Sequence, residues 1–80
     1  MVKVVSRAAY DVYVYPEVGN RHHLPHCHVR WSGNDVSVAL PTLMEIAGGP
    51  LPPAARELLI EYLEVIYAKW AELNPERETN

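Results

Sequence analysis

The sequence has few of the features that mark secreted, membrane-bound or nucleotide-binding proteins. Cys27 is the only cysteine, so no intramolecular disulfide can form and a reducing compartment is expected. Residues 1–7 contain no apolar run long enough for a signal peptide or a membrane span. Neither a phosphate-binding glycine loop nor a nucleophile elbow is present. We therefore expect a cytoplasmic protein with no membrane partner.

The composition is that of one small folded domain. Hydrophobic residues make up 49% of the 80 residues and charged residues 21%, which is ordinary globular usage. A chain of this size buries roughly 60 to 65% of its unfolded surface, so its core is modest. We predict a single α+β domain over residues 1–74, with a disordered tail over residues 75–80.

The charge is weakly acidic and unevenly distributed. The formal net charge is −3 and the isoelectric point is about 5.7, so nucleic acid is not favoured as the main partner. Most acidic side chains follow residue 36, whereas all four histidines precede it. The two halves of the chain thus differ in chemistry.

Polar and apolar residues alternate in three segments, a pattern that predicts half-buried strands. These segments are residues 10–15, 26–31 and 35–40. Residues 2–5 form an earlier strand or a strand extension, and residues 42–47 are predicted as a short edge strand. Residues 16–24 have no periodicity and contain Gly19 and Asn20, so they are predicted as a loop.

The second and third of these strands are predicted to form a hairpin. Gly33 and Asn34 are residues that favour a two-residue turn. A turn at these residues predicts the following cross-strand pairs: Trp31 with Val36, Arg30 with Ser37, Val29 with Val38, and His28 with Ala39.

The remainder of the domain is predicted to be one long helix over residues 54–73. Pro52 and Pro53 suit its first turn, and glutamates occupy the side opposite its apolar stripe. The apolar stripe comprises Ala55, Leu58, Leu59, Tyr62, Leu63, Ile66, Trp70 and Leu73. The sequence therefore predicts a small antiparallel sheet of three to four strands with one long C-terminal helix packed on one face.

A single helix covers only one face of a sheet, so the other is predicted to be open. Alternation turns Cys27, Val29 and Trp31 toward the helix. We call the opposite side the open face, and its predicted residues are Tyr13, Tyr15, His26, His28, Arg30 and Ser37.

Three interpretations of the histidines remain open. His26 and His28, two residues apart on a strand, could share a zinc ion with His22 or His23 as a further ligand. They could act as acid and base with Arg30 balancing anionic charge, although their strand carries no carboxylate that converges on them. They could also only solvate the sheet. Tyr13 and Tyr15 could stack nucleic-acid bases or be ordinary strand residues.

The sequence resembles a family of small bacterial domains, domain of unknown function 4160. That family has an N-terminal Ser-Arg, a His-x-Pro-Pro-His-x-His-Val core, a glycine-containing hairpin and a C-terminal helix with a tryptophan near its end. The matching residues are Ser6, Arg7, His22, Pro25, His26, His28, Val29 and Trp70. Leu24 and Cys27 depart from the pattern without removing a histidine. The resemblance covers residues 2–73.

The resemblance implies a setting more than an activity. Genes of such domains are arranged in toxin–antitoxin-like pairs, often beside a gene for domain of unknown function 2442. It therefore implies a small co-encoded protein as a partner. Together with the predicted open face, this favours a binding or regulatory module that docks the partner through that histidine-bearing face, with His22, His26, His28, Arg30, Tyr13 and Tyr15 as site residues. The alternative is a small ribonuclease-like hydrolase that uses His26 and His28, with or without zinc. A homodimer is a further option.

Overall fold

The computed structural model describes residues 2–16 and 24–75, which form one sheet and two helices. The strands are β1 (Val2–Arg7), β2 (Tyr10–Val14), β3 (His26–Trp31), β4 (Asn34–Ala39) and β5 (Glu45–Ala47). They are arranged in chain order, and each is antiparallel to its neighbours. The predicted α+β class is confirmed, but the described sheet has five strands rather than three to four.

The two outer strands account for this difference. The stretch predicted from residues 2–5 extends to Arg7 and pairs fully with β2 as a separate strand. The predicted edge strand over residues 42–47 narrows to β5, whose one partner among the described strands is β4. The Glu45 carboxylate accepts hydrogen bonds from the Leu51 N–H at 3.0 Å and from Arg56 at 3.3 Å. These contacts tie the short β5 strand to the start of the helical region.

The β3–β4 hairpin forms where it was predicted, but its register is wrong by two residues. Ser32 and Gly33 make the turn, with φ angles of 44° and 80°, and Trp31 lies opposite Asn34. Two positive φ angles are what the strand-matching type I′ turn needs. A shift of two residues keeps every side chain on its predicted face, so alternation could not detect the error.

The single long helix predicted over residues 54–73 is two helices, α1 (Pro53–Glu61) and α2 (Leu63–Leu73). Tyr62 separates them with φ −108° and ψ 20°, outside the helical region. The Tyr62 hydroxyl accepts a hydrogen bond from the Arg7 guanidinium, which also lies 5.5 Å from the ring centroid. The break therefore coincides with a contact to β1.

The core lies between the helices and one face of the sheet. Valines of the three central strands and the inward side of both helices supply its fully buried side chains. The fully or almost fully buried residues include Val12, Val14, Cys27, Val29, Val36, Val38, Ala55, Leu59, Ile66 and Trp70. The inward orientation of Cys27 and Val29 is thus confirmed, while Trp31 is only partly buried and packs edge-on against Tyr10.

The end of α2 is attached to the sheet through Asn74. Its side-chain Nδ2 donates to the Trp70 carbonyl at 2.8 Å and to the Tyr15 carbonyl at 3.1 Å. Most of the loop predicted over residues 16–24 and of the tail predicted over residues 75–80 lies outside the described residues. Within the described part of the chain, no helix is long and apolar enough to cross a membrane.

Candidate functional site

The strand pairings place the predicted open-face residues in two cross-strand rows. His28 lies opposite Tyr13 on one side and Ser37 on the other. Arg30 lies opposite Asp11 and Asp35. Both rows are on the side of the sheet away from the helices, so the second row brings two carboxylates onto the open face.

His28 contacts several side chains of this face. Its Nδ1 atom lies 3.2 Å from the Asp35 carboxylate and 3.3 Å from the Ser37 hydroxyl. Its ring packs edge-on against Tyr15, with centroids 4.8 Å apart, and against His26, with centroids 5.1 Å apart. Packing and hydrogen bonds together fix the orientation of a half-buried imidazole.

Arg30 shares the same carboxylate. Its Nε donates to the second Asp35 oxygen at 3.0 Å, and its guanidinium lies 5.5 Å from the centroid of the Tyr13 ring. The hydrogen bond to Asp35 is the main reason that the pKa of Arg30 is raised above its ordinary value. One carboxylate therefore holds a histidine and an arginine in a fixed relation.

His26 does not have the open position that alternation predicted. It is buried, with 9% of its surface exposed, and its Nδ1 lies 3.0 Å from the Leu24 carbonyl oxygen. It is the first residue of β3, and its ring packs edge-on against the His28 ring. Of the two strand histidines, His28 has the greater access to solvent.

The metal site predicted from His22, His26 and His28 remains a prediction. His22 and His23 lie outside the described residues. The residues that the structure does describe contain no group of three or more histidine, cysteine or carboxylate side chains arranged to hold a metal ion. Cys27 faces the core, and burial raises the pKa of its thiol to about 12, so it is no ligand for this face.

Tyr13 and Tyr15 are half-buried on the open face and contact different groups. Lys3 and Arg30 lie 5.9 and 5.5 Å from the Tyr13 centroid, whereas Tyr15 contacts the His28 ring. An open depression of about 360 Å³ beside Arg30 is lined in part by Asp11, Tyr13 and Asp35. This end of the face is polar and aromatic.

Large apolar side chains are exposed at the other end of the sheet. We call Leu24, Met44 and Ile46 the apolar end; they are 64%, 67% and 54% exposed. Leu24 immediately precedes Pro25, whose carbonyl accepts the Leu40 N–H, and the Met44 carbonyl accepts the Ala39 N–H. These hydrogen bonds bring the segment before β3 and the segment that enters β5 to the same end of β4.

Asp35 and the apolar end were not among the site residues predicted from the sequence. Asp35 was placed beside the turn by the wrong hairpin register, whereas the observed register sets it opposite Arg30 and within reach of His28. Correct placement of the Ser32-Gly33 turn would have found it. Leu24 and Met44 lie just outside strands. There the alternation of polar and apolar residues does not predict which way a side chain points.

The sequence profile of one protein family, described as a domain of unknown function (DUF4160), matches residues 10–74. The chain belongs to this family. The DUF4160 match runs from the start of β2 to the residue that follows α2, and so contains His28, Arg30, Asp35 and the apolar end. No curated protein and no solved structure matches the chain.

Proposed function

We propose that this DUF4160 chain is a binding module of a toxin–antitoxin-like gene pair, which docks a small co-encoded protein through the open face and its apolar end. The observation that carries the proposal is the apolar end itself: three large, exposed apolar side chains on segments that pair with β4 or reach its end. No described element covers this side of the sheet.

This combination has the character of a protein-binding surface. Contiguous exposed apolar side chains with a polar border are typical of docking sites, in which the apolar centre is buried and the rim stays hydrated. The side chains of Leu24, Met44 and Ile46 supply the first part, and the His28–Asp35–Arg30 group supplies the second. A partner with complementary apolar side chains would bury the former and hydrogen-bond to the latter.

The edge of the sheet adds a second means of binding. Within residues 2–16 and 24–75, β5 lies at the edge of the sheet and has β4 as its one partner, so its outer backbone groups are available to an additional strand. At the opposite edge, β1 carries Lys3 and Arg7 and a register irregularity between Lys3 and Val5, features that discourage strand addition. Strand addition is therefore favoured at the edge that carries Ile46.

The occupant we favour is the co-encoded partner that the family resemblance implies, a protein of the domain of unknown function 2442 type. Self-association through the same surface is the competing occupant. Both would bury the apolar end, but only the first requires a second gene product.

The test is co-expression of the full chain with the neighbouring gene product, followed by affinity capture on a tag carried by the partner. Met44→Asp and Ile46→Asp should each weaken capture at least about tenfold, because a carboxylate buried in an apolar contact remains unpaired. Ile60→Asp and Val65→Asp are matched controls, since these side chains are similarly exposed, at 58% and 54%, but lie on the helices. They should leave capture unchanged.

Two results would contradict the proposal. Equal losses for the sheet and helix variants would show that the apolar end is not the docking surface. Absence of capture with parent chain, combined with a dimer in sedimentation that Met44→Asp dissociates, would assign the surface to a second copy.

A further inference from the structure

We propose that the open face also carries an acid–base site, in which His28 is a general base acting on the phosphodiester backbone of single-stranded RNA and Asp35 positions it. The proposal goes beyond partner docking, because its chemistry uses the His28–Asp35–Arg30 group and does not require Leu24, Met44 or Ile46. In this proposal the acid–base pair is His28 and Asp35, whereas the sequence predicted His26 and His28.

The contact with Asp35 determines which nitrogen of His28 is available. An ionised carboxylate only accepts hydrogen bonds, so Nδ1 carries the proton that lies between His28 and Asp35 at 3.2 Å. Nε2 is then the nitrogen with the lone pair, and it makes no hydrogen bond to any described residue. A carboxylate that orients a histidine in this way is a common arrangement for a general base.

Arg30 supplies a cation that is held by the same carboxylate as His28. Only its Nε is used by Asp35. Its two terminal nitrogens make no hydrogen bond within residues 2–16 and 24–75, so they are available to the oxygens of a phosphate group. The base and the anion-binding group are thus held by the two oxygens of one side chain.

Aromatic rings complete the surface. Cationic grooves with aromatic side chains are how single strands are held without sequence preference, because every base has a face that can stack. Tyr13 lies beneath Lys3 and Arg30, and Tyr15 contacts His28. The depression beside Arg30 provides space for the adjoining nucleotide.

The negative net charge does not conflict with an anionic substrate at this face. Glu57, Glu61, Glu64 and Glu72 are exposed on the helices, which lie against the other side of the sheet. On the open face, Asp11 lies 3.9 Å from Lys3 and Asp35 is bound to Arg30. The carboxylates of this face are therefore balanced by cations.

The step is an intramolecular transesterification. His28 Nε2 takes the proton of a ribose 2′-hydroxyl, and the 2′ oxygen forms a bond to phosphorus. The bond between phosphorus and the 5′ oxygen breaks, and that oxygen takes a proton from water. The hydroxide so formed removes the proton from His28. The products are a 2′,3′-cyclic phosphate and a 5′-hydroxyl end, with no oxidant or reductant involved.

The experiment uses the purified full chain and two oligonucleotides, one of DNA with a single ribonucleotide and the other all DNA. Mass spectrometry should identify a 2′,3′-cyclic phosphate from the first and no product from the second. His28→Ala should lower the rate about 100-fold or more. His28→Gln serves the same purpose where the alanine variant does not fold, as judged by circular dichroism.

Asp35→Asn tests whether Asp35 positions His28, with little change in the size of the side chain. The asparagine amide donates to Nδ1 and places the proton of His28 on Nε2, so kcat should fall at least about tenfold with KM changed less. Glu64→Gln, prepared identically, should match the parent, which controls for contaminating nuclease. The proposal is overturned by no cleavage with the parent chain, by equal rates for His28→Ala and parent, or by cleavage of the all-DNA strand.

Discussion

Two histidines with the same predicted role prove different at the residue scale. His26 and His28 point to the same side of β3, but His26 is buried at the start of the strand while His28 retains access to solvent. The second also acquires Asp35 and Ser37 from β4. The surroundings of each histidine therefore depend on its cross-strand neighbours and not only on its side of the strand.

Two glycines give a prediction at the same scale. Gly33 and Gly48 both have positive φ angles, of 80° and 84°, but an added Cβ meets nothing within 4 Å at Gly33 and collides with the Asp35 carbonyl oxygen at Gly48. Gly33→Ala should cost about 1 kcal/mol of unfolding free energy from backbone strain alone. Gly48→Ala should cost more than about 2 kcal/mol, since the backbone must also shift.

Urea denaturation followed by circular dichroism measures both losses. Equal destabilisation of the two variants would mean that the close approach of Gly48 to β4 does not exist in solution. The comparison is informative because backbone conformation is matched and only the surroundings differ.

At the scale of elements, the hairpin and the helices depended on details that periodicity does not contain. The hairpin register follows from which residues adopt positive φ, and the helix break at Tyr62 coincides with a contact to Arg7 on a distant strand. Apart from His26 and the partly exposed Trp31, both elements nevertheless expose and bury the sides that their patterns predicted. The amphipathic pattern determines which side faces the core, and tertiary contacts determine where an element starts, ends or bends.

The amphipathic pattern of α1 can be tested with adjacent residues. Leu59 is fully buried, whereas Ile60 is 58% exposed on the outer side of the same helix. Leu59→Ala should lower the free energy of unfolding by about 2 to 5 kcal/mol, because it removes core contacts and leaves a cavity. Ile60→Ala should change it by less than about 0.5 kcal/mol. Comparable changes in urea titrations would contradict the packing of α1 against the sheet.

At the scale of the whole molecule, Cys27 reports on the integrity of the core. It is fully buried in the central strand, and burial raises the pKa of its thiol to about 12 from an ordinary value of roughly 8.5. The folded state thus holds the thiol proton more tightly than the unfolded state does. This contribution to stability is complete below about pH 8.5 and is lost as the pH rises toward 12.

Two measurements follow from this pKa. Alkylation of Cys27 at pH 8 should be slow in the native protein and rapid in urea. The midpoint of thermal unfolding should fall between pH 8.5 and 11, and should fall less in Cys27→Ala, which has no thiol to ionise. Rapid alkylation of the folded chain would show that the core opens without global unfolding.

The sequence by itself determined the α+β class, the three central strands, the side of each that faces the core and the location of the helical region. Local alternation and helical spacing show which side of an element is apolar, and the apolar side is the one that is buried. Tertiary structure decided the hairpin register, the number of strands, the helix break, the burial of His26 and the union of His28, Arg30 and Asp35. These features depend on which strands and turns come together in space, because a two-residue shift between strands preserves the pattern of every face while changing every pair across it.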